Sequence, residues 1–315
     1  MSPGVRIALA GALAPLVLAT GGAGRVFGAD APPVTTLAVE VRGEWREWWR
    51  SDRPPAQWLG ENPEVSAALR WKRAAPGVRW ATMRIAAAGP AWRTKVVVVD
   101  VEPQFVRFDL NLDLTPEDAK PRWTIERAPK DALVAFNAGQ FLHTMPWGWV
   151  VTGGRTRLAP GTGPLSCAVA FDASGAMRWI GGDSLAAPPS GIVTAFQSYP
   201  TLLERDGIVP EALRAPGGGV NLRHRDARLA LGQMRDGRLR IVLTRFDAVG
   251  DAGGAVPIGP TTPEMAALMG ALGAARAVML DGGISSQLLL RESGGRTRRW
   301  AGHRKVPLAL VVRAR

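Results

Sequence analysis

The segment TKVVVVDVEP, residues 94–103, is a continuous β-branched run, and it narrows the fold more than any other stretch of the chain. Two heavy atoms on each valine Cβ crowd the preceding turn of a helix but pack well on a pleated surface. The neighbouring segments agree. VRWATMRI before it and FVRFDLNLDL after it alternate apolar and polar residues, the period of a half-buried strand. Further strands are expected in LVAFNAG, GWVVTGG, CAVAFDASGAMRWIG, RLALGQMRDGRLRIVLTRF and VPLALVVR, with DASG and RDG as hairpin joints. One helix is well specified. In TTPEMAALMGALG, Thr261 caps the start and Glu264 completes a capping box; Met265, Leu268, Met269 and Leu272 make an apolar stripe, and Gly273 ends it. The strand AVML follows at 277–280. The expected class is α+β, with a large mixed, mostly antiparallel β-sheet core and a few covering helices.

With 315 residues, 46% of them hydrophobic, the chain can bury a sizeable core as one large domain or two small ones. A lone Cys167 excludes an intramolecular disulfide and any cysteine-cluster metal site, and His143, His224 and His303 are too few for a multi-histidine centre. The formal charge of +12 rests almost wholly on arginine, since only Lys72, Lys95, Lys120, Lys130 and Lys305 are lysines. The arginine fork suits phosphate or carboxylate. No helix-turn-helix, zinc-finger or RNA-binding signature accompanies that charge, so nucleic acid is not an expected partner. Residues 1–28 read as a cleavable export signal: Arg6 supplies the positive start, residues 7–19 the apolar stretch, and Val26-Phe27-Gly28 the small residues before cleavage. That run is too short and too broken by Gly and Pro for a stable membrane span, so a periplasmic or secreted product is expected. Residues 29–77 form a Trp-, Arg- and Pro-rich extension, and residues 78–315 the main domain. Within the extension, Trp45, Trp48 and Trp49 stand at i, i+3 and i+4, which predicts a helix docking its aromatic face.

Four segments put polar or charged side chains where a strand ends or a turn exposes backbone. In NAGQF, Asn137 ends a strand and Gly139 lets a backbone or ligand approach closely, although for the motif alone a turn with a capping Asn is the more ordinary reading. AFQSYPTLLERDGIVP holds Gln197 and Ser198 between apolar runs, where polar groups need partners or a ligand. In HRDARLALGQMRDG, Arg228 shares a face with the small residues Ala230 and Gly232, leaving room for a phosphate. In MLDGGISS, the helix-then-strand unit delivers Asp281 to a strand's carboxyl end. There Gly282 and Gly283 free backbone amides to meet an anion, and Ser285 and Ser286 add hydroxyls. The glycines at 217–219 lack a following Lys-Ser/Thr, which argues against a nucleotide loop. No cofactor is expected; Asp281 and nearby carbonyls leave oxygen ligands open to a divalent cation such as Ca²⁺, though no spacing demands one.

The succession NAGQF, GWVVTGG, QSYPTLLERDG, RLALGQMRDGRL and LDGGISS, spread over roughly residues 78–313, resembles the phosphodiester glycosidase domain family. Members of that family include a lysosomal-targeting uncovering enzyme and many bacterial proteins associated with exopolysaccharides. They look like NGGFF or NAGMF at the first site, R-T-A-I-G at the arginine strand and L-D-G-G-G-S-S at the last, with QSGP in the bacterial branch. Gln140, Tyr199, Leu229 and Ile284 depart from those patterns. The resemblance implies hydrolysis of the bond between a sugar's anomeric carbon and a phosphodiester oxygen, with a sugar-phosphodiester or envelope polysaccharide as partner. On this resemblance Arg228 clamps the phosphate and Asp281 acts at the anomeric carbon as base, nucleophile or oxocarbenium stabiliser, with Asn137 completing the catalytic set. Gly139, Gln197, Ser198, Gly282, Gly283, Ser285 and Ser286 bind substrate. The second carboxylate usual in glycoside hydrolysis is open among Glu204, Asp206 and Asp226. Trp147 and Trp149 offer sugar-stacking rings, and His143 or His224 a proton shuttle. Two alternatives use the same residues: a non-catalytic glycan- or phosphate-binding module in exopolysaccharide assembly, and a transglycosylase.

Overall fold

The computed structural model describes residues 34–87, 93–215, 218–246 and 258–315; the leader expected over residues 1–28 lies outside them. The valine run sits in the middle of a nine-stranded sheet. From one edge its order is Thr201–Leu203, Ala274–Met279, Leu229–Met234, Leu239–Phe246, Thr94–Val101, Val78–Ala87, Thr36–Val41 and Glu44–Arg50, with Lys72–Ala75 also paired to Val78–Ala87. The run is apolar without interruption because this sheet is buried on both faces. Val97, Val99 and Val101 point into one apolar cluster, while Val96 and Val98 point into another.

Two five-stranded sheets cover the first face. One runs Arg155–Leu158, Val150–Thr152, Ile192–Ser198, Cys167–Asp172, Met177–Gly181, and the other runs Thr297–Trp300, Leu288–Arg291, Ala132–Asn137, Leu308–Ala314, Val106–Leu112. Their inward residues, among them Phe108, Phe136, Phe171 and Phe196, meet the large sheet in a single cluster. The opposite face is covered by the helix Thr262–Ala271, the short helix Pro63–Ala68 and loops. Every pairing between described strands is antiparallel, so the α+β class holds with sheets dominant.

The helix starts as expected: Thr261 Oγ1 accepts from the Glu264 amide at 3.3 Å and Glu264 Oε2 accepts from the Thr261 amide at 2.9 Å. Its surroundings differ from the expected stripe, because Ala266, Ala267, Gly270 and Ala271 are buried along with the Met and Leu side chains. Trp58 supplies the cover: a Cβ on Gly270 would lie 2.2 Å from its ring.

The tryptophan segment corrects a helix expectation. Glu44–Arg50 is a strand, joined to Thr36–Val41 by a two-residue turn in which Arg42 and Gly43 have φ of 54° and 91°. Two left-handed residues match the twist of a hairpin. Trp49 packs with Leu37, Ala87 and Ala267, while Trp45 is exposed. The strand is bulged opposite Leu37 and Ala38, so Trp45 and Trp49 differ in exposure although they stand four apart; the i, i+3, i+4 spacing carried no sign of that bulge. The change of composition near residue 77 falls inside the hairpin that joins Lys72–Ala75 to Val78–Ala87, and residues 36–75 contribute three strands to the same sheet.

Candidate active site

Leu229–Met234 and Ala274–Met279 are neighbours in the large sheet, with Ala230 opposite Met279. Arg228, just before the first strand, and Asp281, just after the second, therefore emerge at the same sheet end. They line one cleft of about 320 Å³ together with Gln140, Tyr199, Asn221, His224, Asp226 and Thr262.

The backbone of Asp281 is held from both sides. Its amide donates to the Gly139 carbonyl at 3.1 Å and its carbonyl accepts from Asn137 Nδ2 at 2.8 Å. Asn137 Oδ1 accepts from the Gln287 amide at 2.9 Å, so this buried side chain ties the strand Ala132–Asn137 to the whole Asp281 loop. The carboxyl group is less well served: Ser285 donates to it, but Oδ2 is buried with no partner among the described residues. Burial pushes its pKa up to about 6; Ser285 and the charge of Arg304 pull the other way, and the charge of Asp226 adds to the rise.

Arg228 is fixed by carbonyls rather than carboxylates. Nε donates to the Pro260 carbonyl at 3.0 Å and Nη2 to the His224 carbonyl at 2.5 Å. Its other side-chain N–H groups have no protein partner among the described residues. Burial draws its pKa below the usual arginine value, while Asp226 and Glu264 favour its charge. The neighbouring Arg225 forms a bidentate pair with Glu264, both bonds 2.7 Å, which anchors this loop to the capped helix start.

Asp226 is the second carboxylate that the geometry selects. It lines the cleft, while Glu204 lines a different cavity and Asp206 is held by Gln57 and Arg235 through its carbonyl. Asp226 Oδ1 accepts from the Ala227 amide at 2.8 Å, and Oδ2 lies 3.6 Å from His224 Nε2. The two glycines after Asp281 make this closeness attainable. A Cβ on Gly283, at φ +58°, would sit 2.5 Å from Asp226 Oδ2, and one on Gly282 would sit 2.7 Å from the Ala227 carbonyl. Gly283 also donates its amide to that carbonyl at 2.8 Å. Spacing alone gave three acids equal standing; only the packing of these loops distinguishes Asp226.

Other sequence-derived residues stand behind the cleft. Gln197 Oε1 accepts from the amides of Trp149 and Gly161, both at 2.9 Å, and Nε2 donates to the Gly161 carbonyl at 2.7 Å. Ser198 Oγ donates to the Met279 carbonyl at 2.6 Å. Both are buried and neither lines the cleft; they fix the wall that carries Tyr199. Ser285 reaches Asp281, and Ser286 Oγ is buried without a partner among the described residues. Trp149 is buried in the outer core of the sheet formed by Val150–Thr152 and its neighbours. Trp147 meets Tyr199 edge-on, with ring centres 4.7 Å apart. His143 does not line the cleft, whereas His224 does. Asn221 and Thr262 carried no motif signal, and Gln140 appeared only as a departure from a pattern. Asp281 and Asp226 are the acids that could contribute to a cation site; no group of three or more His, Cys, Asp or Glu gathers among the described residues.

The profile of the family described as phosphodiester glycosidase matches residues 130–313. Among solved structures, the catalytic domain of zebrafish N-acetylglucosamine-1-phosphodiester alpha-N-acetylglucosaminidase, auto-inhibited by its pro-peptide, superposes with a TM-score of 0.59 at 18% identity, covering 79% of this chain and 89% of that one. A hypothetical protein from Synechocystis superposes with a TM-score of 0.50 at 16% identity, covering 89% and 68%. No curated protein matches the sequence. At such identities the structures speak for the fold. The profile match spans more than half of the chain and takes in Asn137, Asp226, Arg228 and Asp281, and on that ground the chain belongs to the phosphodiester glycosidase family.

Proposed function

We propose that the protein hydrolyses the bond between the anomeric carbon of a sugar and a phosphodiester oxygen, in a glycan or cell-envelope polysaccharide substrate. The observation that carries the reading is the convergence of Arg228 and Asp281 on one cleft, with a buried Asp281 oxygen left without a partner among the described residues. Breaking the bond from carbon to phosphate oxygen sends its electron pair to the departing phosphomonoester. Arg228, with N–H groups that have no partner among the described residues, stabilises that charge. A water oxygen bonds to the anomeric carbon, and its proton passes to the Asp281 carboxylate, whose elevated pKa matches a base working near neutrality. Asp226, on the facing loop, supplies the second negative charge beside the cationic sugar of the transition state. A phosphate ester leaves without protonation, so no general acid is required.

The test is release of reducing sugar from a panel of sugar-1-phosphodiesters, including N-acetylglucosamine and glucose forms, by the purified chain and its Asp281→Asn variant. Release that disappears in the variant supports hydrolysis and identifies the sugar. Equal release by both proteins, or none from any substrate, overturns it. The leader expected over residues 1–28 assigns the activity to the periplasm or the exterior, which the mass and fractionation of the chain expressed in bacterial cells will check.

A further inference from the structure

A second cleft, of about 440 Å³, opens where the edge strand Thr201–Leu203 and its neighbour Ala274–Met279 meet the strands Cys167–Asp172 and Met177–Gly181. Its size falls within the range of small-molecule sites. Arg276 projects from the sheet face that also carries Val278, towards the five-stranded sheets. It is half-buried and has neither an ion pair nor a hydrogen bond among the described residues. Arg205 enters the same cleft, equally unpaired, and its positive charge opposes that of Arg276. Asp183 and Glu204 lie on the lining but form no ion pair with either arginine.

The half-buried Arg276 guanidinium, opposed by the charge of the exposed Arg205 and favoured by that of Asp206, has no direct anionic partner among the described residues, and a bound anion would offset the cost of its burial. The rest of the lining fits a sugar. Trp179 presents a half-buried ring, and Gly163, Gly181 and Gly182 leave no side chain to crowd it. Ser166 Oγ accepts from Gln197 Nε2 at 3.3 Å, so its own proton remains free to donate. The cleft adjoins the candidate active site: Pro164 on its lining lies beside Gly219, next to Val220 and Asn221 of the first cleft.

We propose that this second cleft binds an acidic sugar unit, carboxylate- or phosphate-bearing, with Arg276 and Arg205 taking the anion and Trp179 stacking on the ring. A planar fork matches either anion, and an indole face suits the apolar face of a sugar. The proposal concerns binding and stands apart from the hydrolysis proposed above.

Isothermal titration of the full chain tests it, using tetragalacturonate for the carboxylate source, glucose 6-phosphate for the phosphate source, and maltotetraose and inorganic phosphate as controls. Binding of an acidic sugar well above both controls, weakened by added salt, supports the site, and the tighter acidic probe identifies the anion. Arg276→Gln should lower the affinity by about tenfold or more, and the exposed Arg205→Gln by a smaller factor. The proposal is overturned if neither acidic sugar binds, if inorganic phosphate or maltotetraose binds as tightly, or if folded Arg276→Gln and Arg205→Gln both bind unchanged.

Discussion

Two aspartates at the large sheet, Asp100 buried and Asp281 half-buried with one buried carboxyl oxygen, have opposite fates. Asp100 takes Arg240 Nε at 2.6 Å and Nη2 at 2.8 Å, Arg79 at 2.8 and 3.1 Å, and Arg238 at 2.7 Å. Its partners are set by register, since Arg79 and Arg240 stand directly opposite it on the two adjacent strands. Trp71 lies against the guanidinium groups of Arg79 and Arg240. At the other end of the sheet, Asp281 keeps one buried oxygen with no partner among the described residues, and the hydrogen bonds that hold Arg228 among those residues go to carbonyls. Removing a charge from water is costly, and a fold ordinarily offsets that cost with partners. This chain does so fully for Asp100 and only in part for Asp281, through Ser285, Gly282 and the charge of Arg304.

The largest test of the contrast is catalytic. Arg228→Ala and Asp281→Asn should each reduce turnover by about 10³–10⁴-fold with circular dichroism unchanged, whereas a folded protein altered at Asp100 should keep its kcat. Next, Asp100→Ala strands the buried Arg240 and should cost about 3–5 kcal/mol of unfolding free energy in a denaturant titration. A loss under 1 kcal/mol would place the two aspartates in one class. The third test reverses the sign. In the folded chain the Asp281 carboxyl keeps its proton up to about pH 6, above its ordinary value of 3.8. The folded state therefore binds the proton more tightly than the unfolded one, and stability falls as pH rises from about 4 to 6. Asp281→Asn, neutral throughout, should be more stable at pH 7.5 by about 1–3 kcal/mol, with the gap closing below pH 4. The smallest effect concerns the shared support. Thr261→Ala removes one half of the capping box and should lower stability by about 1 kcal/mol, leaving the Arg225–Glu264 pair and the rate nearly intact.

The difference between the aspartates also shows what a sequence can and cannot convey. The valine run, the capping box and the placement of Asp281 after a helix–strand unit were readable because each depends on local chemistry. The tryptophan strand was not, because its deciding signal was the Arg42-Gly43 turn, whose left-handed conformations match a hairpin, while the i, i+3, i+4 aromatic spacing pointed to a helix. Gln197 and Ser198 read in the sequence as polar groups needing partners or a ligand, and Asn137 as a turn cap or a member of the catalytic set. Sequence could not tell that those partners would be backbone carbonyls and amides, brought from as far as 150 residues away in the case of Asn137 and Gln287. Asp226 shows the same limit from the other side, since its loop can approach the Asp281 loop only because Gly283 packs against its carboxylate and Gly282 against the Ala227 carbonyl.

The strand Leu308–Ala314 lies between Ala132–Asn137 and Val106–Leu112, and its Arg313 contacts an aspartate 204 residues earlier in the chain. Such a pairing must wait for the closure of a very long loop, so this sheet cannot serve as an early nucleus. The strand pairs Val78–Ala87 with Thr94–Val101 and Leu229–Met234 with Leu239–Phe246 are local and can form first. Asn137, whose strand borders that late arrival, would reach its final hydrogen bonds among the last groups to do so. Refolding followed by both tryptophan fluorescence and substrate turnover should therefore show activity lagging behind compaction.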